Sequence, residues 1–114
     1  MRIIGLGVDI IDRELVLKPH VINHSFSLEE QRYLEASIDK LKDSSIIFAI
    51  KEAFMKAASG YVSLGDLKKV NVRANNDAYS ILYEEGSFMN DKQCWITTNV
   101  FPEYTIASVT IVST

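Results

Sequence analysis

Apolar and polar residues alternate from Arg2 to Ile11. Ile4, Leu6, Val8 and Ile10 fall on one side, and Ile3, Gly5, Gly7, Asp9 and Ile11 on the other. That period of two predicts a strand. Its second side loses side chains next to Asp9, so the backbone there can be approached closely, either by a packed helix or by a ligand. The period then lengthens. Ser27-Leu28-Glu29-Glu30 has the form of a capping box, and Leu34, Ile38 and Leu41 follow at helical spacing, which predicts a helix over 28–42. A second helix is expected from Ser44 or Ser45, with Ile46, Ile50, Ala53, Phe54 and Ala57 on one face and Gly60 as its C-cap.

Beyond Gly60 the period returns to two. Val70, Val72 and Ala74 alternate, Asn75-Asn76-Asp77 makes a polar turn, and Tyr79 to Tyr83 alternates again, which reads as a hairpin. Cys94–Val100 and Tyr104–Val112 read as a further strand pair joined across Phe101-Pro102-Glu103. A strand, two main helices and then antiparallel strands give an α+β fold. The pattern argues against a dinucleotide-binding fold, because the early glycines lie within a strand and no Gly-rich turn opens a helix after them.

The 114 residues suit one domain spanning 1–114. With 12 basic and 15 acidic residues the formal charge is −3, which argues against nucleic acid as a partner. The local clusters Arg2/Arg13/Lys18 and Lys68/Lys69/Arg73 read first as solvated surface. Cys94 is the only cysteine, so neither an intrachain disulfide nor a cysteine zinc site is available. No charged-then-apolar leader precedes Ile3, and no apolar run approaches the roughly 20 residues that span a bilayer. The expectation is a cytoplasmic protein without a membrane segment.

The chemistry concentrates in Lys51-Glu52-Ala53-Phe54-Met55-Lys56-Ala57 and in Asp9. Glu52 and Lys56 stand one turn apart on an otherwise apolar helix. Read alone, they are an i,i+4 ion pair worth a few tenths of a kcal/mol, ~0.2–0.5. Read with Asp9, they supply two carboxylates from distant segments, which is what a hard Mg²⁺ site that borrows substrate phosphates requires. His20 and His24, also spaced i,i+4, read as a solvated pair.

These segments occur together in one known family. Ile3 to Ile11, the helix start Phe26-Ser27-Leu28-Glu29-Glu30, the string Phe48 to Ala57 and Glu103 to Val109 resemble, in the same order, the small 4′-phosphopantetheinyl transferases. The whole chain is similar to the holo-acyl-carrier-protein synthase type. The Lys-Glu-Ala-Phe-x-Lys-Ala string is the most specific element, and Gly-x-Asp-Ile comes next. The resemblance implies transfer of 4′-phosphopantetheine from coenzyme A to a serine of an acyl carrier protein, with release of 3′,5′-ADP. It implies Asp9 and Glu52 as Mg²⁺ ligands, with Glu52 and Lys56 catalytic. Lys56 either stabilises charge as an ammonium or takes a proton as an amine. Lys51, Lys56, Ser59 and Gly60 are candidate coenzyme contacts, Lys51 serving in phosphate contact or in helix solvation. A homotrimer with sites between subunits is implied as well.

The chain also departs from the family pattern. A histidine usually precedes the last strand, but that position holds Val100, or Asn99 after a slip of one residue. Ala58-Ser59-Gly60-Tyr61 stands where Gly-Thr-Gly is usual, Ile47 where an arginine is usual, and Leu15 where a carrier-facing basic residue is expected, with Arg13 as a partial substitute. The alternative that these departures raise is a relative without transfer activity that serves as an oligomeric, carrier-docking module.

Overall fold

The computed structural model describes residues 1–15 and 18–114, apart from the side chains of Leu15 and Leu64. Its elements in chain order are β1 (Arg2–Asp12), α1 (Pro19–Ser25), α2 (Leu28–Glu35), α3 (Lys40–Ala57), β2 (Asn71–Asn75), β3 (Ala78–Leu82), β4 (Lys92–Val100) and β5 (Tyr104–Ser113). Short 3-10 turns occupy Arg13–Leu15 and Leu64–Lys69. The fold is α+β, as expected. All strand pairing is antiparallel, but it forms two sheets: β1-β5-β4 with β5 in the middle, and the hairpin β2-β3. The hairpin turns where the polar run predicted it, with Asn76 in the left-handed region at φ 56°.

Three helix boundaries differ from expectation. The capping box at Ser27 is formed in both directions: Glu30 N–H donates to Ser27 Oγ at 3.1 Å, and Ser27 N–H donates to Glu30 Oε1 at 2.8 Å. The helix it starts ends at Glu35 rather than Lys42. Asp39 is the reason. Its carboxylate accepts from Lys42 N–H at 3.1 Å and so opens α3 at Lys40, ahead of the expected start at Ser44 or Ser45. Ile38 therefore sits between helices, fully exposed, rather than on a helix face. Ser44 and Ser45 fall inside α3, where their hydroxyls bond back to Leu41 O and Lys42 O. At the other end Ala58 is the cap, and Gly60 takes its left-handed conformation, φ 88°, two residues later.

The apolar residues of α3 explain its position. Ile46, Ile50, Ala53, Phe54 and Ala57 are buried, and so are Ile47, Ala49 and Met55, which makes α3 the centre of the core rather than a one-faced helix. It lies against β1 and β5. Of the two ways to use the bare strand face, the helix wins: a Cβ on Gly5 would stand 1.8 Å from Ala57 O, and one on Gly7 would stand 2.0 Å from Ala53 O. Asp9, two residues farther along the same face, is thereby carried to the flank of α3.

The strand faces themselves need one correction. Pairing with β5 slips between Ile3 and Gly5, so Ile4 is an extra residue. The slip turns Ile4 inward against the core and leaves Ile3 exposed, the reverse of strict alternation. Past the slip, alternation holds, but the apolar side is the outer one. Leu6 (63% exposed), Val8 and Ile10 (64%) lie on the face of the sheet away from α3, with Trp95 of β4 also exposed across β5.

Candidate active site

Asp9, Glu52 and Lys56 come together where β1 crosses α3. Lys56 Nζ donates to Asp9 Oδ1 at 2.6 Å and to Val8 O at 3.1 Å. Its ion pair is thus with the strand carboxylate, not with Glu52 on its own helix. Asp9 Oδ2 is buried and accepts no hydrogen bond from the protein. A buried carboxylate oxygen left without a donor is costly unless something else meets it. Glu52, half-buried, has its carboxyl held above the ordinary range by desolvation and by the Asp9 charge, with Lys56 opposing. Two carboxylates repelling one another, one with an orphaned oxygen, suit a hard divalent cation with oxygen ligands. Among the described residues no three His, Cys, Asp or Glu side chains stand close enough to hold a metal by themselves. A two-carboxylate set matches an ion whose other ligands are water and substrate phosphate.

Lys51 has a different place from the one expected. Its side chain is wholly buried, with Nζ 2.6 Å from Glu30 Oε1 and 2.6 Å from Val70 O, and 5.8 Å from the centre of the Phe26 ring. Burial pushes its ammonium below the ordinary lysine range against the pull of Glu30. Glu30 in turn accepts from Val72 N–H at 2.7 Å. The pair ties α2, α3 and the start of β2 together, and in this fold neither phosphate contact nor solvation is open to Lys51. Glu30 was missed in the sequence because the capping box gave it a sufficient role. Ser59 and Gly60 are exposed just past the end of α3, and a Cβ on Gly60 would meet nothing within 4 Å.

The remaining sequence-level candidates are dispersed. His20 and His24 sit on α1, with His24 Nδ1 2.8 Å from His20 O, away from the Asp9 group. Arg13 donates through its guanidinium to Phe101 O (3.1 Å) and Pro102 O (3.3 Å), which ties it to the β4–β5 turn. Arg73 is paired with Glu29, and Lys69 lies near Asp66 and Glu85, so two of the three residues of the second basic cluster have acidic partners. Ile47 is core, 1% exposed. Asn99 pairs with Ile106 and Val100 with Thr105, near the end of β4. The side chain of Leu15 lies outside the described residues.

The family model for the 4′-phosphopantetheinyl transferase superfamily matches residues 5–109. The chain belongs to this superfamily. Solved structures of holo-acyl-carrier-protein synthases share its fold. The enzyme from Bacillus anthracis str. Ames in complex with coenzyme A (3′,5′-ADP) superposes with a TM-score of 0.80 at 19% identity, over 100% of both chains. The one from Neisseria meningitidis gives 0.83 at 15% identity, over 97% of this chain and 99% of that one. The Helicobacter pylori enzyme in complex with coenzyme A gives 0.74 at 19%, over 94% and 99%. No curated protein sequence matches the chain. Among the described residues no helix is long and apolar enough to cross a membrane.

Proposed function

We propose that this chain transfers 4′-phosphopantetheine from coenzyme A to a serine hydroxyl of an acyl carrier protein, in a Mg²⁺-dependent reaction. The observation that carries the reading is the division of labour at Asp9. One oxygen holds Lys56 at 2.6 Å while the other is buried and unpartnered beside Glu52. Asp9 and Glu52 hold the metal, and Mg²⁺ bound there supplies neutralisation of charge on the pyrophosphate oxygens. Lys56, fixed by Asp9 and Val8 O, presents its ammonium to the same phosphate oxygens. The serine oxygen attacks the β-phosphorus, the bond from that phosphorus to the bridging oxygen breaks, and 3′,5′-ADP leaves. The serine proton passes to solvent water.

The reading includes one domain over 1–114, a cytoplasmic setting in keeping with a free Cys94, and a homotrimer with sites between subunits. Support for the trimer comes from the outer face of the β1-β5-β4 sheet, where Leu6, Val8, Ile10 and Trp95 form an exposed apolar row that a monomer would leave in water. The docking-module alternative draws on Asn99 and Val100, neither of which can act as a base. One assay separates the two. Apo-carrier proteins are incubated with coenzyme A and Mg²⁺, and the mass gain of one phosphopantetheine arm is followed. Transfer that falls by about 10²–10³-fold in Glu52→Gln supports the enzyme. No transfer by the wild type to any carrier tried refutes it.

A further inference from the structure

The two sheets have four outer strands, and their free edges are not alike. At β1, Val8 O accepts from Lys56 at 3.1 Å; at β2, Val72 N–H donates to Glu30 Oε2 at 2.7 Å. Helix side chains thus meet both of those edges. β3 and β4 have one strand partner each, β2 and β5, and no ladder joins them to one another. The pairing shows which of their backbone groups are left over. Val72 spends its N–H on Glu30, so Val72 and Ile81 are a non-hydrogen-bonded pair, and by alternation so are Ala74 and Tyr79. Phe101 N–H donates to Tyr104 O at 2.9 Å, and counting back along β4 puts Ile96 and Cys94 at the non-bonded positions, opposite Val109 and Ile111. The N–H and C=O groups of Tyr79, Ile81, Cys94 and Ile96 therefore point away from their own sheets, and among the described residues none of them bonds to another element.

The two open edges border one cleft of about 490 Å³, within the range of ligand pockets. Its walls are consecutive residues, Tyr79 to Leu82 of β3 and Lys92 to Cys94 of β4, as strand edges give; a sheet face would supply alternate ones. Open edges are normally blunted by proline, a bulge or a free lysine. Neither strand has a proline or a break in register, and Lys92 is held by Phe88 O at 2.8 Å and Asp91 Oδ1 at 2.9 Å. What fits between such edges is an extended polypeptide, whose own N–H and C=O groups alternate sides, so that one chain bonds β3 and β4 together. The walls specify its side chains. Tyr79, Ile81, Met89 and Cys94 are half-buried against the core, whereas Ser80 and Gln93 are exposed, so apolar residues of the segment face inward and polar ones alternate with them. Glu84, at one end of the cleft, is exposed and has no ion-pair partner among the described residues, which favours a basic residue there.

We infer that the cleft between β3 and β4 is a strand-addition site for an extended segment of a partner polypeptide, with alternating apolar and polar residues and a basic residue beside Glu84. Cys94 pairs through Ile111 with Gly5, four residues from Asp9 along β1. That is ~13 Å of strand rise, so the site is separate from the Asp9 group and the inference does not depend on the transferase reading. The test titrates the whole ¹⁵N-labelled chain with a capped heptapeptide of alternating valine and threonine led by arginine. The same peptide N-methylated at its valines, and one with glutamate for arginine, serve as controls. The plain peptide should move the amide resonances of Tyr79, Ile81, Cys94 and Ile96 saturably. N-methylation keeps every side chain but removes one row of backbone donors, and should weaken binding about ten-fold or more. The glutamate peptide should bind about three-fold more weakly. Ile81→Pro takes from the chain only an N–H that β2 does not use, and should weaken the plain peptide about ten-fold. No shift at millimolar peptide, or equal binding of the N-methylated peptide, refutes the inference on the wild type alone. Equal binding by folded Ile81→Pro refutes it as well. If the same four resonances move with protein concentration and no peptide, the occupant is a second copy of this chain and the inference fails.

Discussion

Lys51→Met should be among the most destabilising conservative changes in the chain, and it should leave coenzyme A affinity alone. The ammonium makes two 2.6 Å contacts, one to Glu30 Oε1 and one to Val70 O, in a site where both side chains of the ion pair are wholly buried. Removing one member of a buried pair costs about 3–5 kcal/mol, because the partner charge stays behind without compensation. Here the lower end applies. Glu30 keeps the N–H groups of Ser27 and Val72, at 2.8 and 2.7 Å, and methionine fills most of the lysine stem's volume. A loss of about 3 kcal/mol moves the urea midpoint down by about 1.5 M for a slope near 2 kcal/mol/M. The double variant Lys51→Met/Glu30→Gln removes both charges, and its one amide oxygen keeps one of the two backbone donors that Glu30 holds on separate oxygens, so it should be milder than the two single losses added together. Urea unfolding of the three variants by circular dichroism gives the coupling, and calorimetry below the transition gives the coenzyme A affinity. A Lys51→Met protein within 1 kcal/mol of wild type but with coenzyme A binding weakened ten-fold would overturn the reasoning and return Lys51 to the phosphate.

Gly7→Ala places a methyl group 2.0 Å from Ala53 O and within 3 Å of Ala57 N and Lys56 Cβ, so β1 and α3 must part. The expected cost is about 3 kcal/mol, at the upper end for overpacking, with transfer activity falling alongside because Asp9 and Lys56 separate; a variant as stable and active as wild type would contradict the packing. If the chain forms the proposed trimer through the outer sheet face, Ile10→Glu at an exposed position there should leave the fold intact and shift the sedimenting species to monomer. A variant that still sediments as a trimer would show that this face is not the interface. Burial pushes the Cys94 thiol up to about 11 from an ordinary 9.0, so the folded protein favours the protonated form. That contribution is complete below pH 9 and is lost as pH rises from 9 to 11, by at most about 2.7 kcal/mol, and Cys94→Ala should flatten the alkaline limb of a stability–pH profile.

How much the sequence could say depended on whether a local pattern had one physical solution. The capping box at Ser27, the Asn75-Asn76-Asp77 turn and the late strands were legible because each is specified by neighbouring residues. The helix end at Glu35 was not, since Leu34, Ile38 and Leu41 keep helical spacing straight through a break that Asp39 imposes by capping α3. The extra residue at Ile4 was invisible because a bulge is decided by the partner strand. Glycines at 5 and 7 announced a close approach without saying what approaches. At the site, Asp9, Glu52 and Lys56 could be picked out as a set because acidic and basic groups on apolar elements stand out. Lys51 was misread for the same reason: its partner Glu30 lies 21 residues away, and nothing local says that the pair is buried.

The departures at Asn99 and Val100 take on a different meaning once the sheet register is considered. Asp9, Ala107 and Thr98 form one row across β1, β5 and β4 and share the inner side with α3. Asn99 is one residue off that row, paired through Ile106 with Ile10, so it belongs to the outer side with Leu6, Val8 and Ile10. It also stands two strand spacings from β1, about 10 Å. Within one protomer, Asn99 has no route to the Asp9 oxygens. If the outer face is the subunit interface, Asn99 acts on the neighbour's coenzyme and its replacement leaves the Asp9–Glu52–Lys56 group untouched, whereas Val100, paired through Thr105 with Ile11, lies on the inner side beyond the Asp9 row. The buried Ile47 fits the same division, because a residue packed in the core gives no grip on phosphate in its own protomer. The chemistry and the grip are then separable. A trimer with altered interface contacts should retain its rate of phosphoryl transfer at saturation and show the change as a raised KM for coenzyme A, whereas loss of Glu52 should lower kcat itself.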